Sequence, residues 1–329
     1  MRRIPIRLAL VLALASVPGA ASALNILLTN DDGYLNPGIT TLRAALCAAG
    51  HQVTMVAPAV NQSGRGGSIN TGALSSSSAM ALTRQGSDAC GDSYSLAGPT
   101  AAGTYGGTPV DSLKAGLDVV LGGVTPDLVV SGNNFGQNLG KPTSNSSGTV
   151  GAAVQAAFEG IPAIATSVGV IVSESPAFPS TLASFAPAAD FIVRLIDALE
   201  DAPALALMPR RVGLLNVNFP VPYSSISGVE VTRLGDDAEL SLPLFDRRDG
   251  FPPLLPGNPA LLDCNTLAVG ESCSVGVGFA NVAGPDPERN ADTDAFRAGK
   301  ISITPMDGDM TAGAVGQAHT ALTLRPLLP

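Results

Sequence analysis

The sequence predicts a doubly wound α/β fold around a mostly parallel sheet, and three observations carry that prediction. A short apolar run within 24–34 empties abruptly into a polar loop. Strand-like and helix-like segments alternate from there to about residue 218. Three polar loops, Asn30-Asp31-Asp32, Asn61-Gln62-Ser63-Gly64 and Ser131-Gly132-Asn133-Asn134, each follow the carboxyl end of a predicted strand, where open α/β sheets gather their ligands.

The first strand is Ile26-Leu27-Leu28-Thr29, since four to six apolar residues suffice for a strand buried on both faces. Pro37 and Gly38 open a helix with Ile39, Leu42, Ala45, Leu46 and Ala49 on one face, closed by Gly50. Residues 52–58 read as the second strand, completing a βαβ unit. A strand at 127–131, a helix at 147–159, a strand at 161–166, a helix near 180–200 and a strand at 212–218 continue the period. Two stretches interrupt it, 72–103 with its serine run and 241–286, rich in Pro and Gly, and both read as surface insertions. Residues 300–304 alternate like a strand, to be paired within the domain or with a neighbouring subunit.

Residues 1–23 have the basic, apolar and small-residue parts of a secretory leader, with Ala21-Ser22-Ala23 ahead of the expected cleavage point. Its apolar run falls short of the ~20 residues of a membrane span. The mature chain, residues 24–329, is expected to be a single exported domain, periplasmic or secreted. Losing Arg2, Arg3 and Arg7 takes the formal net charge from −9 to −12. That balance argues against nucleic-acid polymers and anionic membrane surfaces as partners. In an oxidising compartment the four cysteines are expected to pair, Cys264 with Cys273 as a local clasp, leaving Cys47 with Cys90. Zinc is the competing reading, but no Cys-x-x-Cys spacing occurs and only His51 and His319 could assist.

Asp31 and Asp32 are adjacent carboxylates, and crowding two like charges at a strand end calls for a cation or hydrogen-bond donors. An Asn-Asp-Asp-Gly sequence also suits a simple turn. Ser63 adds a hydroxyl and Asn134 an amide carbonyl, making an all-oxygen set suited to Mg²⁺, Mn²⁺ or Ca²⁺ with water completing the shell. Open water positions are what metal-assisted phosphate ester hydrolysis requires. Ser147-Gly148-Thr149 precedes a helix, so its amides and hydroxyls suit either an anion or an ordinary helix cap.

Together these segments resemble the SurE family of metal-dependent 5'/3'-nucleotidases, the survival-protein phosphatases. The resemblance runs through Ile26 to Gly33 with Pro37-Gly38, Val56-Ala57-Pro58 with Asn61 to Gly64, Gly107 to Asp111, Pro126 to Asn134 with Gly136 and Asn138-Leu139-Gly140, and Ser147-Gly148-Thr149. Later echoes are Leu215 to Pro220, Val231-Thr232-Arg233, and Asp292-Thr293-Asp294 running into Ser302 to Pro305. It implies a divalent metal on Asp31, Asp32, Ser63 and Asn134, with Asn138, Ser147, Gly148 and Thr149 around phosphate and Asn30 shaping the pocket. It also implies nucleoside monophosphates or other small phosphate esters as substrates. Asp31 and Asp32 are the candidate catalytic residues, Asp32 as general acid or base, with either water or one of the two carboxylates as the group that attacks phosphorus. The family fold is a three-layer, Rossmann-like α/β sandwich whose C-terminal extension is exchanged between subunits, implying a homodimer or homotetramer.

The chain departs from the family pattern in its leader, in its two interruptions, and at Ser146, where an aromatic residue usually stands. A Ser-His-Asp hydrolase fits poorly, because His51 follows a helix end and His319 lies near the chain terminus. Gly64-Arg65-Gly66-Gly67 lacks the dinucleotide-binding spacing, and Gly140-Lys141-Pro142 lacks both spacing and hydroxyl for a phosphate loop. The rival of another class is an exported binding or surface protein whose acidic loop holds a structural Ca²⁺ without turnover.

Overall fold

The computed structural model describes residues 23–308 apart from 71–78, 99–106 and short stretches within 202–212 and 242–279, together with residue 317. The expected leader therefore lies almost entirely outside the described residues.

The apolar run at the start forms β1 (Asn25–Thr29), exposed at Asn25 and buried from Ile26 to Thr29, where strands flank it and helices cover it. β2 (Gln52–Pro58) and β5 (Leu128–Phe135) pair with it in parallel on either side. β3 (Ala81–Asp88) and β4 (Gly91–Ala97) form a hairpin, and β4 joins β2 in parallel. β6 (Ala163–Val168) and β7 (Leu214–Phe219) extend the other side, also in parallel. β9 (Lys300–Met306) runs antiparallel to β7, and β8 (Gly228–Val231) pairs with β9 in parallel. The strand order is therefore β3-β4-β2-β1-β5-β6-β7-β9-β8. Residues 300–304 pair within the chain's own sheet, the first of the two options left open by their pattern.

Helices cover both faces, giving three layers. α1 (Pro37–Ala48) begins with Pro37 after Asn36, whose side chain accepts the Gly38 amide at 2.8 Å, a helix cap that satisfies one orphan donor. Its Ile39, Leu42 and Leu46 join Phe185, Ala188, Ile192 and Ile196 of α5 (Pro179–Asp201) in one core with Ile26, Leu28 and Val130. The opposite core packs Leu113 of α2 (Pro109–Lys114) and Val150, Ala153 and Ala156 of α4 (Gly148–Phe158) on Leu27, Val56 and Val129. α3 (Gly140–Ser146) leads into α4, and α6 (Asp292–Arg297) precedes β9. Alternate residues of β1 feed opposite cores, which is why its run is continuously apolar. No helix among the described residues is long and apolar enough to cross a membrane.

Both interruptions of the sequence pattern carry β-structure. Residues 81–97 are the hairpin at one edge of the central sheet, and residues 240–281 contribute three small two-stranded ribbons. The cysteines pair as Cys47 with Cys90 and Cys264 with Cys273. Cys47–Cys90 fastens the end of α1 to the β3–β4 turn, where Arg43 also grips Asp88 through two contacts at 2.8 and 2.9 Å. Replacing both Cys47 and Cys90 by Ser is expected to cost about 2–4 kcal/mol, because the bridge closes a long loop in the unfolded chain. Urea unfolding of the mature protein measures it. A change under ~0.5 kcal/mol would show that the hairpin holds without the bridge.

Candidate active site

The candidate site lies beyond the carboxyl ends of β1, β2 and β5, with the start of α4 facing it. Three neighbouring parallel strands ending together put their following loops side by side, so residues far apart in sequence converge.

Asp31, the second residue after β1, is 3% exposed. Its Oδ1 accepts the Thr149 hydroxyl at 2.7 Å, and the Gly148 and Thr149 amides at the start of α4 also favour its anion. Burial nevertheless outweighs these donors and pushes its carboxyl above the ordinary value. The fit is close: a Cβ on Gly148 would lie 2.9 Å from the Asp31 Cβ and 2.8 Å from Pro109 Cγ, so the helix start requires glycine here. The anion seat that the sequence offered at Ser147-Gly148-Thr149 thus already faces a carboxylate of the protein itself. Ser147 caps α4, its Oγ accepting the Val150 amide at 3.1 Å.

Thr149→Val is expected to leave the buried Asp31 oxygen without its hydroxyl donor and to cost about 1–3 kcal/mol of stability. It should also raise the Asp31 pKa further and weaken metal affinity. Urea unfolding and a metal titration of melting temperature test both, and unchanged values would mean that the helix amides alone suffice.

Asp32 points the other way along the crevice. Its Oδ2 accepts the Phe135 amide at 2.8 Å, and its Oδ1 accepts the Asn61 side-chain amide at 3.3 Å. Burial first, and the Asp31 charge second, push its carboxyl to about 8. No basic side chain contributes to either carboxyl among the described residues.

The loop after β2 is tied to both aspartates. The Gln62 amide donates to the Asp31 carbonyl at 2.6 Å, and Asn61 bridges Asp32 and the Ser63 amide, the latter at 2.9 Å. Ser63 itself is exposed. Asn61 stood in the polar loop but was given no role from sequence; its place directly beyond the β2 end was the available signal.

Asn134 reaches the crevice through a bulge. The β5–β6 register shifts between Ser131 and Asn134, with an extra residue that re-aims the strand end. Gly132 sits at φ +134°, and a Cβ there would lie 2.2 Å from the Thr166 carbonyl oxygen. Asn133 is buried and its Oδ1 accepts the Thr166 hydroxyl at 2.7 Å. Gly38 in α1 packs flat on this bulge, since its Cβ would come within 2.0 Å of the Asn133 oxygen. Asn134 donates its Nδ2 to the Gly136 carbonyl at 2.6 Å, a bond that uses its donor and not its Oδ1 acceptor.

Two sequence candidates have additional structural duties. Asn30 is fully buried and donates to the Gly33 carbonyl at 3.0 Å, while its Oδ1 has no partner among the described residues. Asn138 is drawn toward β6 and β7 rather than toward the aspartates. Its Nδ2 donates to Ser167 Oγ at 2.9 Å, its amide donates to Asn218 Oδ1 at 2.7 Å, and its carbonyl accepts from Asn216 and Asn218. These bonds hold the loop between β5 and α3 down on the sheet.

The donor set fits a hard divalent cation. It comprises two crowded carboxylates, one amide oxygen and one hydroxyl, with the orphaned buried Oδ1 of Asn30 next in sequence to Asp31, all oxygen and with few protein ligands. No group of three or more His, Cys, Asp or Glu gathers anywhere among the described residues, so the two aspartates would depend on amide, hydroxyl and water oxygens to complete a shell.

The family profile described as "Survival protein SurE" matches residues 26–239, from β1 through the turn after β8. The chain belongs to the SurE family. A Gloeobacter violaceus protein named 5'-nucleotidase SurE is 42% identical over 214 residues, 64% of this chain and 70% of that protein. A SurE 5'-nucleotidase of Desulfitobacterium hafniense is 32% identical over 291 residues, covering 88% of this chain and 92% of its own. The crystal structure of the SurE protein from Aquifex aeolicus superimposes with a TM-score of 0.62 at 29% identity, covering 91% of this chain and 99% of that one. The SurE fold is therefore shared over nearly the whole neighbour, and the three-layer α/β architecture expected from the sequence is the one present.

Proposed function

We propose that this SurE-family chain is a phosphomonoesterase acting on nucleoside 5'- and 3'-monophosphates and other small phosphate esters. The observation that carries the proposal is the buried Asp31–Asp32 pair, set at the end of a parallel sheet with no basic side chain among the described residues contributing to either carboxyl. The names of the relatives support the same reaction class.

Asp31, Asp32, Ser63 Oγ and Asn134 Oδ1 would hold Mg²⁺ or Mn²⁺, with Ca²⁺ as a weaker fit. When bound, the ion supplies Lewis-acid polarisation of the phosphoryl group and activation of water. The protein's own contribution is positional. Thr149 and the start of α4 fix Asp31, and the Phe135 amide fixes Asp32 Oδ2. Asp32 Oδ1, held only by a long bond from Asn61, is free to carry a proton to or from the reacting oxygens. Asn30, Ser147, Gly148 and Thr149 shape the phosphate end of the pocket, and Asn138 contributes by anchoring the loop between β5 and α3.

The test is phosphate release from a panel of nucleoside 5'- and 3'-monophosphates and p-nitrophenyl phosphate, with metal-stripped mature protein and Mg²⁺ or Mn²⁺ restored. Metal-restored turnover is the expected result. A metal that raises the melting temperature without phosphate release would instead establish the exported binding protein with a structural ion.

Export and self-association belong to the same reading. The leader directs the chain to the periplasm or beyond, and the outer edge of β8, with Val229 and Val231 exposed, supports a homodimer or homotetramer. Light scattering on the mature protein decides the latter.

A further inference from the structure

Leu24 is where the exposed leader end meets the interior. Ala23 is exposed, whereas Leu24 is 8% exposed and belongs to the main core. The Leu24 carbonyl accepts the Gln52 amide at 2.8 Å, the first link between β1 and β2. The next residue is held as firmly, because the Asn25 amide and side chain both donate to Asp127 Oδ2, at 2.8 and 3.1 Å.

The Leu24 nitrogen itself points to His51 Nδ1 at 3.3 Å. His51 is only 2% exposed, and its Nε2 has no partner among the described residues. Burial holds its imidazole below its ordinary pKa, against the pull of Asp197 on α5, so the ring is a neutral acceptor at Nδ1. A neutral imidazole, with Asp127 and Asp197 close by, is a seat for a group that donates a proton and carries positive charge. An α-ammonium has that chemistry, and its place next to the exposed Ala23 sets it at the border between core and solvent.

We propose that His51 is the docking site for the α-amino group of Leu24, released by hydrolysis of the Ala23–Leu24 peptide bond before β1 enters the sheet. In that hydrolysis water's hydroxyl goes to the Ala23 carbonyl, which leaves as a carboxylate on the leader, and the protons remain on the Leu24 nitrogen as ammonium. The catalyst is an endopeptidase that accepts small residues at Ala21 and Ala23. Cleavage has to come first. Residues on the far side of the scissile bond lie in β1, paired with β2 and β5 on both edges, where no protease cleft can take hold of them. Maturation and the seating of β1 are thus consecutive steps of one process, and β1 runs directly into Asp31 and Asp32.

The experiment begins with the full precursor expressed in a secreting bacterium and the intact mass of the exported protein, expected to correspond to a chain starting at Leu24. That protein is then acetylated with a limiting amine reagent at neutral pH, and modification of the Leu24 amine is followed by peptide mass analysis. The amine is expected to react about tenfold more slowly in the native protein than in urea, and His51→Gln should remove most of that protection. Nitrogen chemical shifts of His51 in the unmodified wild type should show Nδ1 unprotonated, a reading that stands even if the variant folds poorly. A mass starting elsewhere, equal acetylation rates in native and urea-treated protein, or a protonated Nδ1 would each overturn the proposal. None of these readings depends on phosphatase turnover.

Discussion

Asp32→Asn is expected to cut metal-dependent phosphate release by about 10²- to 10⁴-fold, the range for losing a positioned proton-transfer group. The same change should raise the melting temperature of the metal-stripped protein. Asparagine keeps an oxygen for the Phe135 amide and removes a carboxyl that burial and Asp31 both push toward neutrality. The paired effects separate a functional group from a structural one, since a structural aspartate would lose stability together with activity. Unchanged phosphate release would sink the assignment of Asp32.

The sign of the pH dependence follows from the same group. The folded Asp32 has its pKa raised from 3.8 to about 8, so between these values the unfolded chain has lost a proton that the folded chain keeps. Stability is fully present below the unfolded value, declines as pH rises through this window, and is lost above about 8. Metal-stripped wild-type protein should therefore lose stability from pH 5 to pH 8, and Asp32→Asn should flatten the decline. Saturating Mn²⁺ favours the ionised pair and should stabilise more at the alkaline end. Thermal melts across this range, with and without Mn²⁺, measure all three.

Gly132→Ala carries the second large effect. At φ +134° any side chain is strained, and the added Cβ would meet the Thr166 oxygen at 2.2 Å in the middle of the sheet. Backbone on backbone cannot give way as a flexible side chain can, so the β5 bulge must move, carrying Asn133 and Asn134 with it. A loss of about 3–5 kcal/mol is expected, with kcat falling further than stability alone explains because Asn134 leaves its place. Urea unfolding and assays on the folded fraction separate the two. Normal activity and stability would mean that the bulge is plastic.

Much of this arrangement could be read from residues alone. β1, α1, β2, β6 and α4 announced themselves by apolar periodicity and by Pro37, Gly50 and Ser147 at helix ends. The three loops were visible for the same reason, since each begins where an apolar run stops. The β3–β4 hairpin was not, because an edge ribbon with one covered face needs no apolar pattern, and Ala81 to Asp88 is mostly polar and exposed. The bulge was hidden too: Gly132-Asn133-Asn134 read as a loop, while in the fold it continues β5 as far as Phe135. Sequence also could not show that Asp31 faces the start of α4, or that Asn138 is claimed by Asn216, Asn218 and Ser167. These are meetings between segments tens of residues apart, fixed by strand order.

The strand order β7-β9-β8 has a bearing on the timing of synthesis. β8 leaves the ribosome some seventy residues before β9, yet β9 is its only ladder partner among the described residues. Thr232, just after β8, likewise bonds Thr304 of β9 at 2.8 Å, and Ser302 lies opposite Asn218, which grips the loop carrying Asn138. A nascent chain halted before Lys300 would have β1 through β7 and all the acidic loops, but a sheet ending at β7 and a slack anchor for Asn138. Because the last strand among the described residues is the wedge between β7 and β8, the fold discriminates between chains that reach β9 and chains that end before it.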